Sequence, residues 1–413
     1  YRSAPHCGGQ GVYVRHLSRA LRDRGHRVDV ISGEPYPELD PGVGLVPLPG
    51  MNCYGYPRFR DALFDRGVRS LRNLREWLTV VSGGFPEPRL FGERVLQYLL
   101  SRLDQYDLVH DNQSLCYGLL ELKQKGLPVV STIHHPITRD LRYALQKERR
   151  WRVRLLIRRW HSFLGMQKQV ARNLERIVTV SSASKDDIAQ DFGVDPERIQ
   201  VVPNGVDTEV FRPFPEIYAR PFRIMATASA DVPLKGLDYL IKAVHLLSRE
   251  FPEIELRVLG RPKQNGTTQE LIRKLGMQER ISFFSGVSQE GIAKEYASSA
   301  VAVVPSLYEG FGLPAVEAMA CGKPLVATTG GALPEILGRA GELVPPADAW
   351  ALADAIGGLL RHPERAAALG QSARERVEKR FTWDSAALDT ERVYMQMPGL
   401  AVGGRQDPME HRV

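Results

Sequence analysis

The chain has 413 residues, 43% of them hydrophobic and 25% charged. That is the composition of a globular protein, and the length suits two domains better than one core. No apolar run reaches the roughly 18–20 residues that cross a bilayer and no signal peptide is visible, which excludes a membrane-spanning helix. Cys7, Cys53, Cys116 and Cys321 lie far apart without zinc-type or Cys-x-x-Cys spacing, a pattern that fits a reduced, cytoplasmic compartment. Charge is uneven: residues 1–200 hold 31 Lys and Arg against 22 Asp and Glu, a net of +9, whereas residues 201–413 hold 24 against 26, a net of −2. The basic half calls for an anionic partner: a membrane surface, a nucleic acid or a phosphorylated substrate.

The chain opens on a Gly8-Gly9-Gln10-Gly11 loop, followed by helical spacing of Val14, Leu17, Ala20 and Leu21. An α/β domain needs a strand before such a loop and none is read there, so a first strand is expected to be missing. Strands are expected at 28–31, 108–110, 129–132, 177–180 and 199–202. Residues 33–60, rich in Pro, Gly and Tyr, read as one long connection. Two arginine-rich stretches, 58–78 and 142–164, carry apolar residues at helical spacing. In the second, Val153, Leu156, Ile157, Trp160 and Leu164 share a face that is expected to pack on its own domain, with arginines directed outward. Such clusters suit anionic lipid headgroups. No helix-turn-helix, zinc-finger or RNA-platform pattern accompanies them, and no nucleic acid partner is expected.

A Pro-rich segment after Asn204-Gly205-Val206-Asp207 marks a boundary, giving domains 1–205 and 206–385. The last helix is expected to pack back on the first domain, and residues 399–413 to form a disordered tail. The second domain alternates strands (222–226, 255–259, 280–284, 300–304, 324–327, 342–344) with helices, the signature of a doubly wound parallel sheet. Ligands of such sheets bind outside the strand C-terminal ends. At one such end the sequence runs Val304-Pro305-Ser306-Leu307-Tyr308-Glu309-Gly310-Phe311-Gly312-Leu313-Pro314-Ala315-Val316-Glu317. A buried strand leads to a glycine-bearing turn and then to a helix that is apolar apart from Glu317. A lone carboxylate there is costly unless something hydrogen-bonds to it. Two carboxylates beside a helix N-terminus make a cradle for phosphates and hydroxyls, or a tight turn with one solvated and one core-paired glutamate.

With Lys235-Gly236, the Gly8-Gly9 loop and Asn204-Gly205-Val206-Asp207 added, the chain resembles the retaining GT-B glycosyltransferases of family four over about residues 8–385, and His134 matches the histidine of that family's Thr-x-His segment. The Glu309–Glu317 segment matches the family's Glu-x7-Glu motif. The resemblance implies an α/β fold of two Rossmann-like domains facing each other across a cleft, and sugar transfer from a nucleotide-diphosphate sugar to an acceptor hydroxyl. It implies roles for His134, Lys235 and Glu309 in catalysis. Glu309 would hold sugar hydroxyls with the N–H groups of Phe311 and Gly312 beside it, and Gly310 and Leu313 would also belong to the donor site. Glu317 would take the ribose, and Lys235 with Gly9 the diphosphate. The base would sit near Ser285, Gly286 and Val287 with Arg261 close by. His110, Asp111 and Asn112 fall to the acceptor side. The arginine that the family commonly carries about five positions before the lysine is absent, leaving Ser229, backbone N–H groups or Arg261 to substitute.

The expected chemistry needs no metal and no cofactor beyond the nucleotide-sugar, because no carboxylate cluster has metal-ligand spacing. The acceptor suggested by the basic half is lipid-linked or part of the cell envelope, reached at the inner face of the membrane. Two other readings stand beside this one: a nucleotide-sugar epimerase of the same build, and a non-catalytic binder of anionic lipid or nucleic acid.

Overall fold

The computed structural model describes residues 9–67, 70–228 and 230–400. The chain forms two compact units. One holds the residues up to Val180, Ser184–Val202 and those from Ala386 onward; the other holds Ser181–Ala183 and Pro203–Ser385.

The first unit contains β1 (Asp29–Ser32), β2 (Gly44–Pro47), β3 (Val109–Asn112), β4 (Val129–Ile133), β5 (Arg176–Thr179) and β6 (Ile199–Val201). Strands β3-β4-β5-β6 form one parallel sheet and β1-β2 a separate parallel pair. Strand β4 is buried along its whole length, the continuous apolar run expected of a strand covered on both faces. The residues ahead of the helix Gly9–Asp23, where a first strand was expected to be missing, lie outside the described residues. Residues of both sheets, including Val30 and Val109, line a cavity of about 160 Å³ together with Leu17, Phe91, Val95 and Tyr394.

In the second unit β7 (Arg220–Thr227), β8 (Glu255–Leu259), β9 (Ile281–Phe284), β10 (Ser299–Val304), β11 (Leu325–Thr328) and β12 (Glu342–Val344) form one parallel sheet. Its order is β12-β11-β10-β7-β8-β9. Ile224, Val258, Val301 and Val326 pack with Leu240, Ile241 and Val244 of the helix Leu237–Leu247 and with Leu352 and Ile356 of the helix Ala349–Arg361. Each such side chain contributes about 1.5–3 kcal/mol on burial. Strand order reverses between β7 and β10, the position outside whose strand ends such sheets bind ligands.

Three expectations need correction. The connection 33–60 contains β2 and a short 3-10 turn, Cys53–Gly55. The arginine-rich stretch 58–78 is divided into helices Phe59–Arg66 and Leu71–Val81, and the 142–164 stretch into Thr138–Lys147 and Trp151–Trp160 followed by a 3-10 turn. No residue of Trp151–Trp160 is buried, and Leu155 and Leu156 are exposed. Of the face expected to pack inward, Leu164 is buried, Val153 and Ile157 are half-buried and Trp160 stacks on Phe85 at 4.9 Å between ring centres, so Leu156 is the residue that departs from the expectation.

The final helix, Trp383–Tyr394, runs into the first unit, where Glu391 accepts from Arg24 Nη2 at 2.6 Å and pairs with His26 Nε2 at 2.9 Å. The segment expected as a tail lies outside the described residues from 401 onward.

Candidate active site

In the second unit the turn after β10 leads into the helix Leu313–Ala320, with Gly312 as N-cap and Pro314 in the first turn, where its missing N–H leaves nothing unpaired. Glu309 is buried in this turn. Its Oε1 accepts from Ser306 Oγ at 2.6 Å and from Lys235 Nζ at 2.8 Å. The N–H groups of Phe311 and Gly312 have no acceptor among the described residues, although Phe311 is 5% exposed. Buried N–H groups are nearly always paired, so two adjacent orphans at a helix N-terminus mark a place for an anion or a hydroxyl oxygen.

Two further loops hold this turn. The Lys235 loop follows β7. A Cβ on Gly236 would stand 1.9 Å from the Pro305 carbonyl oxygen, and φ there is +63°, so glycine is required by contact and by conformation. Leu307 N donates to Leu234 O at 2.8 Å, fastening the lysine loop to the glutamate loop. On the other flank Gly331 lies on Glu309, where a Cβ would be 2.2 Å from the Glu309 carbonyl. That carbonyl accepts from Ala332 N at 2.9 Å. The carboxylate and the ammonium are thus placed by backbone contacts among the ends of β7, β10 and β11.

Glu317 projects from a helix whose Ala315, Val316, Ala318, Met319 and Ala320 are all buried. Part of the residue stays accessible. Desolvation nevertheless raises its carboxyl from the ordinary range to about 8, and no described residue donates a hydrogen bond to it.

The first unit carries a second polar cluster at the ends of β3 and β4. His110 Nδ1 lies 2.6 Å from Tyr394 Oη and its Nε2 lies 2.7 Å from Thr132 Oγ1, which in turn meets Tyr13 Oη at 2.9 Å. Burial pushes His110 down to about 4. His134 packs edge-on against Tyr13, 4.6 Å between ring centres, and its Nε2 lies 2.8 Å from Asn112 Oδ1. Burial, and then its neighbours His135 and His110, lowers His134 to about 3. Both imidazoles are neutral at ordinary pH.

Residues 7–210 match the family described as Glycosyltransferase Family 4, and residues 216–376 match Glycosyl transferases group 1. The chain is 48% identical to the MMP alpha-(1->4)-mannosyltransferase of Mycolicibacterium hassiacum, covering 95% of this chain and 96% of that protein. The chain belongs to the family 4, group 1 glycosyltransferases. It is also 30% identical to a D-inositol 3-phosphate glycosyltransferase of Catenulispora acidiphila, over 94% and 90% of the two chains. Among solved structures it is similar to a sucrose-phosphate synthase from Thermosynechococcus elongatus, with a TM-score of 0.72, 26% identity and 94% of each chain covered. A structure of Anabaena Alr3699/HepE with UDP and glucose shares the fold at a TM-score of 0.66 and 18% identity, over 94% and 96% of the chains.

Within this glycosyltransferase, Lys235, Glu309, Gly310, Phe311, Gly312 and Leu313 come together at one turn, with Glu317 on the helix that follows. Arg261 is exposed and donates to Ser285 Oγ at 3.2 Å, beside Gly286 and Val287 at the end of β9. Ser229 lies outside the described residues. Where the expected arginine is absent, Asp231 instead ties down the loop leading to the helix Thr267–Leu275, accepting from Lys263 N at 2.8 Å and Thr268 N at 3.0 Å. Gly9 begins the helix Gly9–Asp23.

Asp111 does not face a ligand. Its carboxylate accepts from the N–H and hydroxyl of Ser114, from Leu115 N at 3.0 Å and from Ser131 Oγ at 2.7 Å, because the chain turns back on itself directly after β3. Sequence reasoning missed Gly331, Tyr13 and Tyr394, and met Ser306 and Thr132 only inside motifs, without a role of their own. Only the Gly330-Gly331 pair, directly after a predicted strand, carried a readable signal.

Proposed function

We propose that this glycosyltransferase moves a hexosyl group from a nucleoside-diphosphate sugar to an acceptor hydroxyl with retention at the anomeric carbon and without a divalent cation. The observation that carries the reading is the set of unsatisfied groups around one turn. Among the described residues the N–H groups of Phe311 and Gly312 have no acceptor and the Glu317 carboxyl has no donor. The only cation hydrogen-bonded to Glu309 among the described residues is Lys235.

On this reading Glu317 accepts from the ribose hydroxyls, and Arg261 with Ser285, Gly286 and Val287 borders the base. Lys235 receives the negative charge that builds on the departing diphosphate, helped by the helix N-terminus and by the N–H of Gly9. Glu309 positions sugar hydroxyls. His134 lies beside the transferred sugar, and His110 and Asn112 serve the acceptor side. The acceptor hydroxyl attacks from the face that the diphosphate leaves. Because fixed cations and N–H groups supply the charge stabilisation, a chelator leaves the rate unchanged. The 48% identical mannosyltransferase makes GDP-, UDP- and ADP-linked mannose and glucose the first donors to test. Release of nucleoside diphosphate and an α-configured product from an α-configured donor support the reading; no binding and no release across the panel would sink it.

We further propose that the enzyme works at the anionic inner face of a membrane on a lipid-linked or cell-envelope acceptor. Among the described residues no helix is long and apolar enough to cross a membrane. Support comes from the helices Leu71–Val81 and Trp151–Trp160, linked by Arg159 Nη2 donating to Ser82 Oγ at 3.0 Å. They expose Leu71, Leu78, Trp151, Leu155 and Leu156 among Arg75, Arg152, Arg158 and Arg159. Such a surface suits an interface carrying negative headgroups. Phosphatidylglycerol vesicles should sediment the protein at low salt and release it at high salt. Sedimentation indifferent to salt and lipid charge would overturn this second reading alone.

A further inference from the structure

We infer that Asn112 is a positioning residue for His134: its amide oxygen takes the imidazole Nε2–H, fixes that tautomer, and leaves Nδ1 as the bare acceptor offered to a substrate hydroxyl. The inference rests on the proposed placement of His134 beside the transferred sugar.

A neutral imidazole has one N–H, and the hydrogen bond made at one nitrogen decides what the other can do. His134 Nε2 is 2.8 Å from Asn112 Oδ1, an oxygen that can only accept. The proton therefore sits on Nε2. Nδ1 has no partner among the described residues, and His134 as a whole is only partly buried, so the free nitrogen belongs to a residue that solvent or substrate can reach. The groups around the ring are Tyr13 from the helix Gly9–Asp23, His110 and Asn112 from β3, and His135 beside it. Of these, Asn112 is the one that hydrogen-bonds a ring nitrogen.

The rest of the residue is fixed as firmly. The His134 N–H donates to Gln113 Oε1 at 2.8 Å, and its carbonyl accepts from Ser184 Oγ at 3.1 Å. Tyr13 meets the ring at an interplanar angle of 86°. Asn112 itself is placed by the sheet: it pairs with Thr132, two residues before His134. The side chain on β3 thus faces the loop that leaves β4. A positioning partner one step from the substrate is the arrangement that holds a reactive imidazole in a single orientation.

The consequence is directional. A hydroxyl can donate to Nδ1 but cannot accept from it, so the oxygen of that hydroxyl becomes more electron-rich just where positive charge develops on the sugar. With the opposite tautomer Nδ1–H would withdraw electron density.

Two-bond ¹H–¹⁵N correlation spectra of ¹⁵N-histidine protein read the tautomer directly, the His134 signals being assigned by their loss in His134→Gln. Wild type should carry the proton on Nε2. Asn112→Leu, which removes the acceptor, should show mixed tautomers and a kcat lowered about tenfold or more, with the donor KM changed less than about threefold. Asn112→Asp restores an acceptor, so it should recover the Nε2–H tautomer and most of the lost kcat. Its added negative charge should also move the acid limb of the kcat–pH profile upward. Protonation at Nδ1 in wild type would overturn the inference without any variant having to fold. So would an Asn112→Leu enzyme with unchanged tautomer or wild-type kcat. If the tautomer is as stated but no sugar-nucleotide is turned over, the proposed function fails and the assignment of Asn112 as the group fixing the ring stands.

Discussion

Lys235 Nζ lies 2.8 Å from Glu309 Oε1, so the ammonium and the carboxylate neutralise each other in the ligand-free protein. On the proposed reading a bound diphosphate would compete with Glu309 for that lysine and release Glu309 toward sugar hydroxyls. Glu309→Gln should therefore separate binding from turnover. Removing the carboxylate frees Lys235, and nucleoside diphosphate should bind as tightly as in wild type or more tightly by calorimetry. Turnover should fall at least about tenfold, roughly 1.4 kcal/mol of lost transition-state stabilisation. Weaker diphosphate binding, or a wild-type rate, would remove the assigned role.

The contact of Gly236 with the Pro305 carbonyl can be tested against a matched control. Gly236 and Gly276 have nearly the same left-handed φ, +63° and +67°, but a Cβ at 276 meets nothing within 4 Å whereas one at 236 meets backbone at 1.9 Å. Gly276→Ala should cost only the conformational penalty, about 1–2 kcal/mol. Gly236→Ala must also part the lysine loop from the glutamate loop. It should cost clearly more in urea unfolding and abolish turnover. Equal losses would mean that the two loops separate easily and that the backbone contact does not set the site.

The contrast between these loops bears on what could be read from residues alone. The spacing of Glu309 and Glu317 put one carboxylate in a turn and the other on a helix, since seven intervening residues hold the whole turn and one helical turn more. Periodicity found β10 because Val301, Val303 and Val304 are continuous and apolar. The same method missed β2, whose four residues include Pro47 and pair only with β1. Asp111 looked like a ligand residue because nothing local revealed that the chain doubles back to Ser114 and Leu115. The partners of His110 were beyond reach for another reason: Tyr394 lies 284 positions away, and no pattern along the chain encodes that meeting. Leu156 departs from the packed face read over 142–164 because helical spacing shows which residues share a side but not how far that side is covered.

That distant pair gives a stability prediction. Tyr394 Oη is 2.6 Å from His110 Nδ1, and burial holds the phenol well above its ordinary range, hence protonated. Tyr394→Phe leaves shape nearly unchanged but strands a ring nitrogen, which should cost about 1–3 kcal/mol in equilibrium unfolding. The double variant Tyr394→Phe/His110→Phe, with neither polar partner, should lose less than the sum of the two single variants. Strict additivity would show that the two groups do not interact in solution.

On the proposed reading Glu317 would link donor binding to protons. Its carboxyl is raised from 4.5 to about 8 by desolvation. A raised carboxyl contributes stability that is fully present below 4.5 and is lost as pH climbs through 8, because the folded chain must then hold an unpaired buried charge while the unfolded chain does not. Glu317→Gln should therefore flatten the decline in stability of the ligand-free protein between those limits. Ribose hydroxyls donating to the carboxylate favour its charged form and pull the pKa back down. Donor binding between pH 5 and 7 should consequently release up to about one proton. Titration calorimetry in two buffers of different ionisation enthalpy measures that number. Glu317→Gln should release none, and equal proton release from wild type and variant would mean that the ribose does not meet this carboxyl.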